Sequence, residues 1–173
     1  MSKQKARSNV GPMRVETPAD QAVLIMEREL DAPRELVWSA LTDPTQVAKW
    51  YGGHGFENPV CEMDVRPGGR WRHVMRTPDG QEFAMELEFL EVVPPERLVW
   101  QNVGHDAPGA VGPHNNHMTV TLEALDGGAR TRWHLVTRFK SLADRQAAGA
   151  IGFAAVLEEG TEKFADVLRE LAR

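Results

Sequence analysis

The stretch from Arg70 to Val92 constrains this chain most. Trp71, His73 and Met75 alternate with Arg70, Arg72 and Arg76. After Pro78-Asp79-Gly80, the residues Phe83, Met85, Leu87 and Phe89 alternate with Glu82, Glu86 and Glu88. A repeat of two, with apolar and charged sets kept apart, describes a strand with one buried and one wet face. Two such runs around a tight turn predict an antiparallel hairpin. The opposed Arg and Glu rows are then a solvated, cross-paired sheet surface rather than a nucleic-acid surface.

Further strands follow from the same signals. Ala22 to Leu30 is apolar and reads as the first strand. Val60–Val65 precedes the hairpin, Leu98–Val103 follows the Pro94-Pro95 break, and Met118–Leu125 and Arg130–Phe139 flank Gly127-Gly128. Two short helices come after the first strand. Asp31-Ala32-Pro33 opens one, with Asp31 read as a cap or charge complement. Asp43, Pro44 and Gln46 open the other in the manner of a capping box. Ser141 and Asp144 form a second such box. Phe153, Val156, Leu157, Gly160, Phe164, Val167, Leu168 and Leu171 then make a long helical stripe. Strands in runs and helices apart indicate an α+β fold.

The 173 residues suit one domain. Residues 1–20 lack hydrophobic periodicity and read as a flexible tail, with the domain spanning 21–173. Lys and Arg number 20 against 25 Asp and Glu, a net charge of −5, which argues against nucleic-acid binding through bulk positive charge. No secretory signal and no apolar run of membrane length is visible. The single cysteine, Cys61, permits no internal disulfide and suits a reducing cytoplasm.

The order and spacing of LDAPRELVWSALTDPTQVAKWYGG, DVRPGGRWR, PDGQEF and LEVVPPERLVW resemble the START-like, helix-grip superfamily, also called SRPBCC. Within it they resemble the family named after the C-terminal domain of the activator of a heat-shock chaperone's ATPase. The likeness runs from about residue 22 to 172. It implies a curved antiparallel sheet wrapped around a long C-terminal helix, with a cavity between them. Superfamily members bind lipids, sterols, polyketides and other apolar molecules there; some are cyclases or hydrolases, and others are carriers or partners. Homodimers are common in such folds. The family name implies a chaperone partner, although the chain shows no second, chaperone-binding domain.

The expected ligand wall combines Trp71, His73, Met75, Phe83, Met85, Leu87, Trp100 and Trp133 with Phe153 and Leu157 of the last helix. The same residues also suit plain core packing. His73 is either a satisfied core histidine or a polar anchor, acid or base toward a ligand. Gly160 marks a close approach, to a ligand, to the sheet or to another helix. Gly149 and Gly152 are either a flexible cavity entrance or a simple junction. His105, His114 and His117 lie in a Pro- and Gly-rich loop read as solvated, without a metal. Gly-x-Ser-x-Gly, phosphate-cradling and His-Glu-x-x-His motifs are absent, and no cofactor is expected. The leading expectation is a small apolar ligand, lipid-like, polyketide-like or aromatic. A cyclase- or hydrolase-type enzyme on the same cavity, or a chaperone-associated module, are the alternatives.

Overall fold

The computed structural model describes residues 11–103 and 116–173. Eight strands form one antiparallel sheet: β1 (Arg14–Glu16), β2 (Val23–Leu30), β3 (Glu57–Met63), β4 (Arg70–Arg76), β5 (Glu82–Val93), β6 (Arg97–Asn102), β7 (His117–Leu125) and β8 (Arg130–Arg138). Helices α1 (Arg34–Thr42) and α2 (Pro44–Trp50) follow β2, and α3 (Leu142–Ala150) and α4 (Phe153–Leu171) close the chain. The spatial order is β1-β2-β8-β7-β6-β5-β4-β3, an open sheet with β1 and β3 at its edges. This is the expected helix-grip arrangement.

The β4–β5 register matches the alternation in the sequence. Trp71 faces Leu87, His73 faces Met85 and Met75 faces Phe83, while Arg70 faces Glu88 and Arg76 faces Glu82. On the outer face Arg76 pairs with Glu82 at 2.7 Å and Glu57 at 3.1 Å, and Arg72 turns to Glu62 rather than to Glu86. The register shifts between Phe89 and Glu91 on β5 and between Glu57 and Val60 on β3. Such bulges bend a sheet and help it curve around the helix.

Several details differ from the sequence reading. Arg14–Glu16 is a strand rather than tail: Val15 pairs with Met26, and the Gly11 N–H donates to Glu29 O at 3.1 Å. Asp31 does not cap α1; it pairs with Arg130 at 3.0 Å. Asp43 caps α2 by accepting from the Thr45 N–H at 2.9 Å, and Gln46 makes no return bond. Ser141 caps α3 as expected, accepting from the Asp144 N–H at 3.1 Å. The terminal helical region is broken once, at Gly152, whose φ of 76° is a left-handed conformation that glycine adopts without strain.

Helix α4 lies across the inner face. Phe164, Val167 and Leu168 are buried with Met26, Leu30, Val37, Val47 and Phe89 in one core. Gly160 has a packing role. A Cβ there would stand 3.3 Å from Gly52 O and 3.6 Å from Trp50 O, so α4 presses on the backbone that ends α2.

Candidate functional site

Two different environments occupy the inner face. Toward β3–β5 a hydrogen-bonded polar cluster occupies the interior, beside a groove of about 290 Å³ lined by Val60, Arg72, His73, Val74, Ala84, Met85 and Glu86. His73 is 1% exposed and sits at the centre of a hydrogen-bonded chain. The Trp71 Nε1–H donates to His73 Nδ1 at 3.2 Å, and His73 Nε2 lies 2.7 Å from Asn58 Oδ1. The Asn58 amide in turn donates to Ala48 O at 2.9 Å and Tyr51 O at 3.1 Å. With Nδ1 accepting, Nε2–H must donate, which fixes a neutral tautomer. Burial lowers the His73 pKa to about 4 and keeps the ring neutral at pH 7.

Tyr51 closes this end. Its ring lies 4.4 Å from His73 and 5.4 Å from Trp71, centre to centre. The Tyr51 hydroxyl donates to Met85 Sδ at 3.9 Å. Burial, with the neighbouring Cys61, pushes its pKa up to about 12. Burial also raises the Cys61 thiol to about 11, so it is a protonated, poorly nucleophilic group.

Between β6–β8 and α4 the packing is incomplete. A narrow cavity of about 50 Å³ remains. The sheet contributes Trp71, Leu98, Trp100, Met118, Val120, Trp133 and Leu135. Leu157, Thr161 and Phe164 of α4, with Leu41, Trp50 and Tyr51, complete the wall. Among the described residues Thr161 and Tyr51 bring its side-chain hydroxyls, and the Thr161 hydroxyl donates to Glu158 O at 2.8 Å.

A groove of about 240 Å³ opens beside the α3–α4 junction. Its walls include Val15, Leu24, Phe139, Gly149, Phe153 and Ala154. Phe139 and Phe153 meet edge to face at 5.9 Å. Phe153 lies one turn before Leu157 on α4, so the groove and the cavity are successive along one helix face.

Of the ten residues expected to line a ligand site, Trp71, Trp100, Trp133 and Leu157 line the cavity. Phe153 lines the groove. Leu87 is core; Met75, Phe83 and Met85 share its sheet face but are only half-buried, and Met85 lines the β3–β5 groove. His73 lies outside the cavity wall, and both its ring nitrogens are engaged within the protein. A polar-anchor role for His73 would require one of these two bonds to open. The expected wall did not include Trp50, Tyr51, Leu98, Met118, Val120 and Thr161, nor Leu41, Leu135 and Phe164, which also line the cavity. Trp50 and Tyr51 were read only as the end of α2. His105 and His114 fall outside the described residues, whereas His117 begins β7, with burial lowering its pKa.

The family model "Activator of Hsp90 ATPase homolog 1-like protein" matches residues 31–173. The chain belongs to this family. Solved structures of the same fold include protein NE0264 from Nitrosomonas europaea, 26% identical with a TM-score of 0.77, covering 87% of this chain and 96% of that one. A protein from Arthrobacter aurescens is 26% identical, with a TM-score of 0.80 and 91% of each chain covered. Protein Ms6760 from Mycobacterium smegmatis is 25% identical, with a TM-score of 0.75, covering 94% and 98%. No curated protein matches. Among the described residues, no helix is long and apolar enough to cross a membrane.

Proposed function

We propose that the chain binds a slender apolar molecule, lipid-like, polyketide-like or aromatic, between β6–β8 and α4. The carrying observation is an unfilled space at the centre of the fold, walled by Trp71, Trp100 and Trp133 and by Leu157 of the helix. Protein interiors normally close to crystal-like density, so a void at this position marks incomplete packing. At about 50 Å³ the cavity admits only a few water-sized groups, against the roughly 300–1,000 Å³ of ligand pockets. The groove of about 240 Å³ supplies the remaining volume once Phe153 swings away from Phe139. Gly149 and Gly152 flank Ile151 at the α3–α4 junction, where a hinge would free Phe153. Binding would draw on apolar burial, at about 25 cal/mol per Å² before ordering costs.

Binding suits this wall better than a cyclase or hydrolase does. Such chemistry needs at least two polar groups converging on the substrate. The Thr161 hydroxyl is committed to a backbone carbonyl, and the Tyr51 hydroxyl points to Met85. The family description favours a second reading, a module that contacts a heat-shock chaperone. Purified chaperone with and without this protein separates the two, since only the second reading predicts a changed ATPase rate.

Native against denaturing mass spectrometry of freshly purified protein tests the binding reading. The expected result is an added mass in the native spectrum alone. A bare native mass, together with no change in tryptophan emission on adding decanol or decanoate, would contradict it.

A further inference from the structure

We infer that the bound molecule carries a carboxylate and that Arg28 receives it at the Thr161 end of the cavity. This rests on the binding reading above and names the ligand's polar end.

Arg28 lies on β2 with Met26 and Leu30, on the face turned to the core, and is only 7% exposed. It stands directly across from Trp133 of β8, a cavity-wall residue. Its Nη1 donates to Thr161 Oγ1 at 2.8 Å; Thr161 is part of the wall, and Arg28 stands directly behind it. Its Nε donates to Gly11 O at 2.8 Å. Both partners are neutral. The adjacent carboxylates face away: Glu27 pairs with Arg14 and Arg132, and Glu29 with Arg130 and Arg132. Among the described residues no ion pair joins Arg28 to a carboxylate.

A guanidinium has five N–H donors, and these two bonds use two of them. A buried cation without a counter-charge is costly even with neutral acceptors, and an anion with good hydrogen-bond geometry lowers that cost. A carboxylate matches the guanidinium fork and leaves an apolar tail free to run along Trp133 and Leu157. An apolar molecule with no acid would leave the charge uncompensated. A compact inorganic anion would forgo the tryptophan wall.

The test compares decanoate with decanol at pH 8 by isothermal titration, on the full chain. Chain length is shared, so the difference reports the head group. Decanoate is expected to bind about 10- to 100-fold more tightly, the scale of a charged hydrogen-bond pair. In Arg28→Met, with folding checked by circular dichroism, that preference should shrink to within about threefold. Arg28→Lys keeps the charge without the fork and should retain an intermediate preference. Equal binding of the two probes to the unaltered protein overturns the acid-ligand inference and leaves the apolar-ligand reading standing. Binding of neither probe overturns both. A full preference surviving in folded Arg28→Met overturns the assignment to Arg28. If Arg28→Met does not fold, a full preference surviving in Arg28→Lys serves the same purpose.

Discussion

The two ends of the inner face solve one problem in opposite ways. Both are built from alternating strands that turn large side chains toward the helices. At the β3–β5 end, a hydrogen-bonded chain from Trp71 through His73 to Asn58 locks the interior, and Tyr51 lies over it. At the β6–β8 end, Trp100, Trp133 and Leu157 surround a gap, and the Thr161 hydroxyl leads outward to a buried arginine. A buried polar chain with every member partnered fixes one arrangement of a core. An apolar wall with space behind it leaves room for another molecule. The hydrogen-bonded end thus acts as a rigid frame for the other.

The largest expected effect comes from breaking the frame. His73→Leu strands the Trp71 indole N–H and the Asn58 carbonyl in the interior and should cost about 2–5 kcal/mol, read by urea unfolding. An unchanged midpoint would mean that the chain is not a structural lock.

Acid should act on the same residue. The His73 pKa lies at about 4 in the folded protein against 6.5 for the ordinary imidazole, so protonation favours the unfolded chain. The full contribution is present above pH 6.5 and is lost as pH falls toward 4, by about 3 kcal/mol. Unfolding followed across that window should show a drop that is missing in His73→Leu; parallel curves for the two proteins would sink this assignment.

A matched pair of enlargements sharpens the contrast between the ends. Leu87→Phe crowds a buried position facing Trp71 and should cost about 1–3 kcal/mol. Leu157→Phe grows into the cavity and should stay within about 1 kcal/mol of the original while weakening decanol binding. Equal costs in thermal melts would show that the gap is not usable space.

The smallest effect is expected on the outer face. Arg72→Ala removes an exposed pair with Glu62 at 3.9 Å and should change stability by less than about 0.5 kcal/mol.

The sequence made one layer of this legible and hid the next. Trp71 facing Leu87 and Arg76 facing Glu82 follow from alternation and a tight turn, because a side-chain period of two leaves the strands little freedom of register. What stands opposite a strand is set by residues far along the chain. Asn58, at the edge strand, reaches His73 across 15 residues, and no local pattern announces that bond. Trp50 and Tyr51 read as the end of a helix, yet the packing of Gly160 against that backbone carries them over the inner face. Arg28 sat within an apolar strand as an ordinary charge, and only tertiary packing shows that its side chain turns inward. The strand Arg14–Glu16 has all three residues exposed, Val15 at 44%, and is held by backbone pairing, so it carries little hydrophobic signal to read.

The five tryptophans provide the most direct test of the central claim, that the β6–β8 end holds an apolar molecule. Trp50, Trp71, Trp100 and Trp133 line the cavity, and Trp38 does not. Indole N–H signals in a nitrogen-15 correlation spectrum should therefore be followed while decanol, the uncharged probe, is added. The account predicts that the signals of Trp50, Trp71, Trp100 and Trp133 move together and that of Trp38 stays in place. Five unmoved signals, or movement of Trp38 alone, would contradict it.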